Sequence, residues 1–317
     1  MSPIQYRLLG KTGVTVSSLC MGTMTFGKEA DEGESAAMFT RCRDVGINFF
    51  DTANVYAGGR SEEILGKLMA GSRDELVIAS KVAGAMGEGP NNRGLSRRHI
   101  MMAVEGSLRR LNTDRIDLYY LHQFDPTVPI EEPLRALDDL VRQGKILYPA
   151  VSNWAAWQIA KGLGLQTLHH LAHFVCVQPM YNLVKRQAEV EILPLALEEK
   201  LGVVSYSPLG GGLLSGKYGS KVRPEHGRLL ENKMYVKRYG DPVYFDVADR
   251  LITMAEALGV RPAALAVAWV MSHPAVTAPI VGARSVTQLN DSLAALDIAM
   301  TPELRAQISA LSPEPPP

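Results

Sequence analysis

LVIASK, residues 76–81, sets an apolar run suited to a buried strand in front of a lysine. A strand inside a parallel sheet is covered on both faces, so it reads as a near-continuous apolar run rather than as an alternation. Ending such a run on an ammonium group is unfavourable for a core and useful for a site. The same arrangement recurs along the chain. INFF leads into Asp51, DLYYL into His122, YPAV into Ser152 and Asn153, FVCV into Gln178, and GVVS into Tyr206 and Ser207. With SLCMGTM (18–24) and APIVGA (278–283) this makes eight runs.

Helix-length amphipathic segments lie between the runs. Ser96 caps RRHIMMAVEGSLRRL, EEPLRALDDLVRQ stops at Gly144, FDVADRLITMAEAL stops at Gly259, and Pro262 opens AALAVAWVM. Eight β-then-α units predict a (β/α)8 TIM barrel, with a doubly wound sheet as the alternative. In a barrel, functional side chains stand just past the strand ends on the C-terminal face, where these polar residues fall. QYRLLGKTGVTVSS, ahead of the first unit, predicts an N-terminal β-hairpin closing the barrel bottom. A long Gly-, Lys- and Arg-rich loop with little periodicity follows between Gly210 and Asp241. No linker composition interrupts the chain, so residues 1–317 read as one domain.

Composition narrows the function. The 317 residues are 46% hydrophobic and 21% charged with a formal net charge of +0. That balance gives no bulk attraction to nucleic acid or to a membrane surface. No apolar run approaches the ~18 residues of a membrane span, and MSPIQYRLLGKTG lacks the apolar core of a secretory signal, so a cytoplasmic protein is expected. Cys20, Cys42 and Cys176 are far apart and read as buried free thiols. His169-His170-x-x-His173 imitates a zinc helix, but His170 stands where the general-base Glu belongs and no third ligand is evident. A solvated helix face is expected there, with no metal. The acidic pairs Glu131-Glu132, Asp138-Asp139 and Glu198-Glu199 likewise read as exposed helix faces. Nothing in the sequence sets an oligomeric state.

Asp51, Tyr56, Lys81 and His122 come from consecutive β units, so their side chains can converge. A lysine beside a tyrosine stabilises tyrosinate and lowers the phenol pKa. A carboxylate keeps that lysine charged, and a histidine can hydrogen-bond a substrate oxygen. Together they form a proton relay with Tyr56 as general acid. A carbonyl protonated at oxygen needs hydride at carbon, which calls for a nicotinamide cofactor.

These residues resemble the aldo-keto reductases: D51-T-A-N-V-Y56, S61-E-E-I-L-G66, Lys81, His122, V151-S-N153 and P-I-V-G-A-R284, in that order, from about Leu8 to Leu311. The resemblance implies an NADPH-dependent oxidoreductase that reduces aldehydes or ketones. It makes Tyr56 the acid–base, Lys81 and Asp51 its tuning pair, and His122 the residue orienting the carbonyl. It gives the nicotinamide carboxamide to Ser152, Asn153 and Gln178, and the ring to Tyr206. Further NADP(H) contacts are implied at Gly22, Thr23, Met24 and Asp51. Others fall at Ser207, Pro208, Leu209, Gly211, Leu213 and Lys217 in the strap, and at Gly282, Arg284, Gln288, Asp291 and Ser292 in the adenosine segment. Arg284 is suited to a 2′-phosphate. Asp291 and Ser292 stand where the pattern usually has Glu and Asn, and Pro149-Ala150 depart from the usual apolar–Gly pair.

GGLLSGK, residues 211–217, imitates a nucleoside-triphosphate loop but continues into Tyr218 instead of Ser or Thr. It follows the seventh run, where barrels often bind phosphate, so it reads as a strap over a dinucleotide pyrophosphate. Met24, Phe26, Met86, Phe124 and Trp154, with Tyr181, are expected to line an apolar mouth for a mid-sized carbonyl substrate, joined by Tyr56 and His122. The glycine-rich AGAMGEGPNNRG (83–94) is expected to be mobile, with Arg93 available to an anionic substrate. Two rival readings use the same residues: a cofactor-loaded regulatory subunit resembling channel β subunits, and a sugar or polyol dehydrogenase working in reverse.

Overall fold

All eight apolar runs become strands in the computed structural model, which describes residues 2–220 and 224–316. A hairpin of β1 (Tyr6–Leu8) and β2 (Thr15–Ser17) precedes them. The parallel strands are β3 (Cys20–Gly22), β4 (Phe49–Asp51), β5 (Val77–Val82), β6 (Ile116–Leu121), β7 (Ile146–Ser152), β8 (Cys176–Gln178), β9 (Gly202–Val203) and β10 (Ile280–Val281). They pair in the order β10-β3-β4-β5-β6-β7-β8-β9. Ile280 N–H donates to Ser205 O at 2.8 Å, which closes the ring between β9 and β10. The protein is a (β/α)8 barrel, so the doubly wound alternative falls.

The two-residue period of each strand divides its side chains between two cores. Phe49, Val77, Ala79, Leu118, Tyr120, Ala150, Cys176, Val204 and Ile280 fill the barrel interior, together with Leu9 and Val16 from the hairpin. Phe50, Ile78, Tyr119, Val151 and Val177 point outward into the layer between sheet and helices. The hairpin therefore plugs the bottom of the barrel. Gly10, at φ +58, is held so close beneath it that a Cβ would lie 2.5 Å from Val175 O and 2.7 Å from Gly202 N. Only glycine fits that turn.

The helices follow the capping signals. Ser96 accepts from His99 N–H at the start of Arg97–Leu111, and Asp241 caps Pro242–Ala257, which begins earlier than its apolar pattern. Glu131–Arg142 ends before Gly144 (φ +70), and Pro262 opens Pro262–Met271. Among the described residues no single helix is long and apolar enough to cross a membrane.

Several expectations are corrected. The long loop after β9 contains helices at Arg228–Glu231 and Lys233–Tyr239, the second capped by Asn232. Residues 221–223 of that loop lie outside the described residues. Helix Ala156–Leu168 stops short of His169, and His170 takes a left-handed φ of +53, so the histidines lie on an exposed turn. Asp138 is buried, because its carboxylate accepts from Ala172 N–H and from Arg142. Within the loop 83–95, Gly94 N–H donates to Ala83 O, Met86 N–H to Asn92 O and Leu95 N–H to Asp125.

Candidate active site

Strand period carries the functional groups inward. Counting up from the inner core, Phe49 leads to Asp51, Ala79 to Lys81, Ala150 to Ser152, Cys176 to Gln178 and Val204 to Tyr206. Register aligns Asp51 with Ala79 and Ser152 with Gln178, so all of them crown the barrel interior. Ala57 (φ +49), Asn153 (φ +57) and Ser207 (φ +62) are non-glycine residues in left-handed conformation just past β4, β7 and β9. Such strain gathers where surrounding structure holds a working geometry. Here it turns the chain sharply after Tyr56, after Ser152 and after Tyr206.

Lys81 is the hub. Its Nζ bonds Asp51 Oδ1, Thr52 O at 2.8 Å and the Tyr56 hydroxyl at 3.3 Å. An ammonium has three protons, and these are three acceptors. Tyr56 oxygen thus accepts from Lys81, which leaves its own proton to be given elsewhere. Lys81 and Asp51 are buried, whereas Tyr56 and His122 are partly open. The Tyr56 and His122 rings stand edge to face with centroids 6.1 Å apart. Gln178 Nε2 donates to the second oxygen of Asp51 at 2.8 Å.

Electrostatics separates the roles. Burial pushes the Tyr56 phenol above its ordinary value; Lys81 pulls it down and Asp51 pushes it back up. The expected net lowering is therefore corrected: burial, with the Asp51 carboxylate adding to it, outweighs the ammonium. Burial alone would discharge Lys81, but Asp51 and Tyr56 outweigh it and raise its pKa, so the ammonium persists. Burial raises the Asp51 carboxyl, with Lys81 and Gln178 opposing. His122 is lowered to about 3 by burial and by Lys81, so it is neutral at physiological pH, with one donor and one acceptor nitrogen.

The groups suited to a dinucleotide lie along the same rim. Asn153 Nδ2 donates to His122 O at 2.9 Å, and its Oδ1 accepts from Tyr206 at 2.7 Å. Ser152 Oγ donates to the main-chain oxygen of Gln178 at 2.9 Å. Gly210, Gly211 and Gly212 all have positive φ, and a Cβ on Gly211 would meet the Tyr235 ring at 2.5 Å. Ser207, Pro208, Leu209 and Lys217 flank that strap, and Tyr218 is buried where a nucleotide-hydrolysing loop would present a hydroxyl. Gly22 ends β3, and Gly282 lies open beside it, past β10. Arg284 is exposed, and its side chain has no ion pair among the described residues. Gln288 Oε1 accepts from Arg284 N–H at 3.2 Å. An amide cluster, a glycine strap and a cation before a helix N-terminus fit a nicotinamide dinucleotide.

Other expected contacts are displaced. Phe26 and Leu213 are wholly buried, and Thr23 turns its hydroxyl to Ser61 at 2.8 Å. Ser292 is buried in helix Val286–Leu293, and Asp291 is paired with Arg261. Tyr181 packs at 5.1 Å from Trp269 and donates to Glu189, away from the mouth. Trp154 is buried behind Phe124, edge to face at 5.1 Å. Met24, Met86 and Phe124 keep partial exposure, and Arg93 is exposed.

Sequence reasoning passed over three features of this rim. Thr52 supplies a backbone acceptor, which no side-chain pattern reveals. Tyr235 and Tyr239 stack at 6.3 Å on the helix over the strap; their four-residue spacing behind the Asn232 cap was the available signal. Glu34 Oε1 accepts Val286 N–H at 2.7 Å at the head of the adenosine segment, across 252 residues.

A family model described as the aldo/keto reductase family matches residues 18–313. The chain is 37% identical to the "uncharacterized oxidoreductase YrpG" of Bacillus subtilis, over 98% of this chain and 97% of that protein. It is 39% identical to a rice protein named a probable voltage-gated potassium channel subunit beta, over 97% and 96% of the two chains. A protein of the same name in Arabidopsis thaliana is 39% identical over 93% and 92%.

Proposed function

The chain belongs to the aldo/keto reductase family, and from that premise we propose that it reduces aldehydes or ketones to alcohols with NADPH. The observation that carries this is the hydrogen bonding of Lys81. Its three protons go to Asp51, Thr52 and Tyr56, so Tyr56 alone holds a proton directed away from the relay. Tyr56 delivers that proton to the carbonyl oxygen, and Lys81 supports the tyrosinate left behind. Neutral His122 donates to the same oxygen and orients it. The cofactor supplies hydride when bound. Ser152, Asn153 and Gln178 would hold its carboxamide and Tyr206 its ring. Residues 207–217 would hold the pyrophosphate and Arg284 the 2′-phosphate. Met24, Met86 and Phe124 offer an apolar mouth to a mid-sized substrate. NADPH oxidation against a panel of aldehydes and ketones tests this. Saturable turnover supports it, and tight NADPH binding without turnover opposes it.

The low pKa of His122 gives a pH prediction. With that value near 3, only about 1% of the imidazole is protonated at pH 5. The reductive kcat/KM is therefore expected to show no inflection between about pH 5 and 8. It should fall only at alkaline pH, where Tyr56 loses the proton it must donate. An inflection near the ordinary histidine value of 6.5, absent from His122→Gln, would contradict the neutral assignment.

Cofactor choice gives another. Arg284 favours a 2′-phosphate, but the Glu34 carboxylate sits on Val286 N–H beside it. Removing one like charge from a surface phosphate site is worth about three- to tenfold in affinity. Glu34→Gln is expected to tighten NADPH binding by that factor and to leave NADH unchanged, measured by cofactor fluorescence titration. Equal effects on both would remove Glu34 from the phosphate site.

Similarity to proteins named as probable channel β subunits supports a second reading: a cofactor-bound regulatory protein with slow turnover. The same substrate panel separates the two.

A further inference from the structure

The side chain of Gln178 touches the relay as well as the rim. It stands at the end of β8, nearly enclosed, and its Nε2 donates to Asp51 Oδ2 at 2.8 Å across 127 residues of sequence. Lys81 holds the other oxygen of the same carboxylate and, on its far side, the Tyr56 hydroxyl. Three hydrogen bonds thus run without a gap from Gln178 through Asp51 and Lys81 to Tyr56. The Ser152 hydroxyl fixes the β8 end by donating to Gln178 main-chain oxygen. Gln178 Oε1 accepts no hydrogen bond among the described residues.

We propose that Gln178 is a positioning residue for Asp51: by sharing that carboxylate with Lys81 it sets how firmly Lys81 holds the Tyr56 oxygen, and a carboxamide bound at its Oε1 strengthens that hold. The inference rests on the reading of Tyr56 as proton donor. The two donors compete for one carboxylate. A stronger donor on Oδ2 withdraws charge, so Oδ1 pulls less on the ammonium. The ammonium's contact with Tyr56, at 3.3 Å, is longer than its 2.8 Å bond to Thr52 O, so it has room to shorten. An amide whose oxygen accepts a hydrogen bond becomes a better N–H donor. Occupation of the rim is thereby transmitted to the phenol.

The surrounding groups leave this route clear. Asp51 is faced by Lys81 from β5, Cys20 from β3, Tyr120 from β6, and Cys176 and Gln178 from β8. Burial keeps Cys20 and Tyr120 protonated and raises Cys176 to about 12. Tyr56 is faced by Lys81, Asp51, Tyr235 and Tyr206, and by His122, which is neutral. Asp51 and Lys81 are the charged members of this set.

The test is the titration of Tyr56 by NMR of protein carrying 13C at the tyrosine ζ carbon, with its signal assigned by loss in Tyr56→Phe. Gln178→Met keeps length and removes the donor. The expected result is an acid dissociation constant of the Tyr56 phenol about three- to tenfold lower in Gln178→Met than in the parent. In the parent, saturating NADPH without substrate should raise that constant, and in Gln178→Met this response should be smaller. The NADPH comparison in the parent stands even if Gln178→Met folds poorly. An unchanged Tyr56 titration with weakened NADPH binding would overturn the proposal and leave Gln178 a cofactor contact alone. An unchanged parent titration on adding NADPH overturns it too. The titration needs no turnover, so failure of Tyr56 as proton donor would show separately, as retained activity in Tyr56→Phe.

Discussion

Tyr56→Phe is expected to lower reductive turnover by about 10²–10⁴-fold while NADPH still binds. The substitution removes one oxygen and leaves the ring beside His122. Lys81 loses its third acceptor but keeps Asp51 and Thr52 O, so the buried ion pair survives and the fold with it. What disappears is the proton that neutralises the developing alkoxide. Because that interaction is made in the transition state, kcat should fall and KM should change little. Steady-state kinetics against a reactive aldehyde, with cofactor fluorescence as the binding control, measures both. Turnover within a few fold of the parent would remove Tyr56 from proton delivery.

Lys81→Met is expected to destabilise the protein by about 3–5 kcal/mol, because it leaves the Asp51 carboxylate buried with Gln178 as its remaining side-chain donor. The sign of the pH dependence follows. Burial already holds the folded-state pKa of Asp51 above its ordinary value, and without Lys81 to oppose burial it rises further. The stability of the variant is then retained below the unfolded value and lost as pH rises through the folded one. The deficit should be smaller in acid than at neutral pH. Asp51→Asn/Lys81→Met removes the orphaned charge and should recover most of the loss, since Gln178 can still donate to the asparagine oxygen. Urea unfolding of the two variants across pH gives both numbers. A double variant no more stable than Lys81→Met would show that the charge is not the cause. Both variants should also lose reductive turnover, since each lacks the ammonium that supports tyrosinate.

Much of this was legible in the sequence because barrel strands are apolar on both sides until they reach the rim. LVIAS running into Lys81 and FVCV running into Gln178 mark the rim ends of β5 and β8. Side-chain direction was harder to read. Phe26 lies just past β3 and Leu213 in the glycine strap, yet the turns that contain them point the side chains into the core. Ser292 lies within the adenosine segment but falls on the buried face of its helix. The contacts that join distant segments left no trace in any local pattern. Gln178 meets Asp51, and Glu34 meets Val286, only because the barrel closes. The helix Lys233–Tyr239 was hidden by the glycines and charges around it, although Asn232 and the spacing of Tyr235 and Tyr239 announce it. The direction of the Tyr56 pKa needed the whole set of neighbours, because burial and Asp51 together outweigh Lys81.

Hydride transfer is the central claim, and isotope transfer tests it most directly. NADPH carrying deuterium at C4, prepared separately in each stereochemical form, is incubated with the protein and an aldehyde, and the alcohol is weighed by mass spectrometry. The expected result is one deuterium in the alcohol for each cofactor oxidised, from one of the two forms only, and a drop of about 10²–10⁴-fold in its rate of appearance with Tyr56→Phe. Alcohol free of deuterium from both forms, or NADPH that stays bound and reduced with every carbonyl offered, would contradict it.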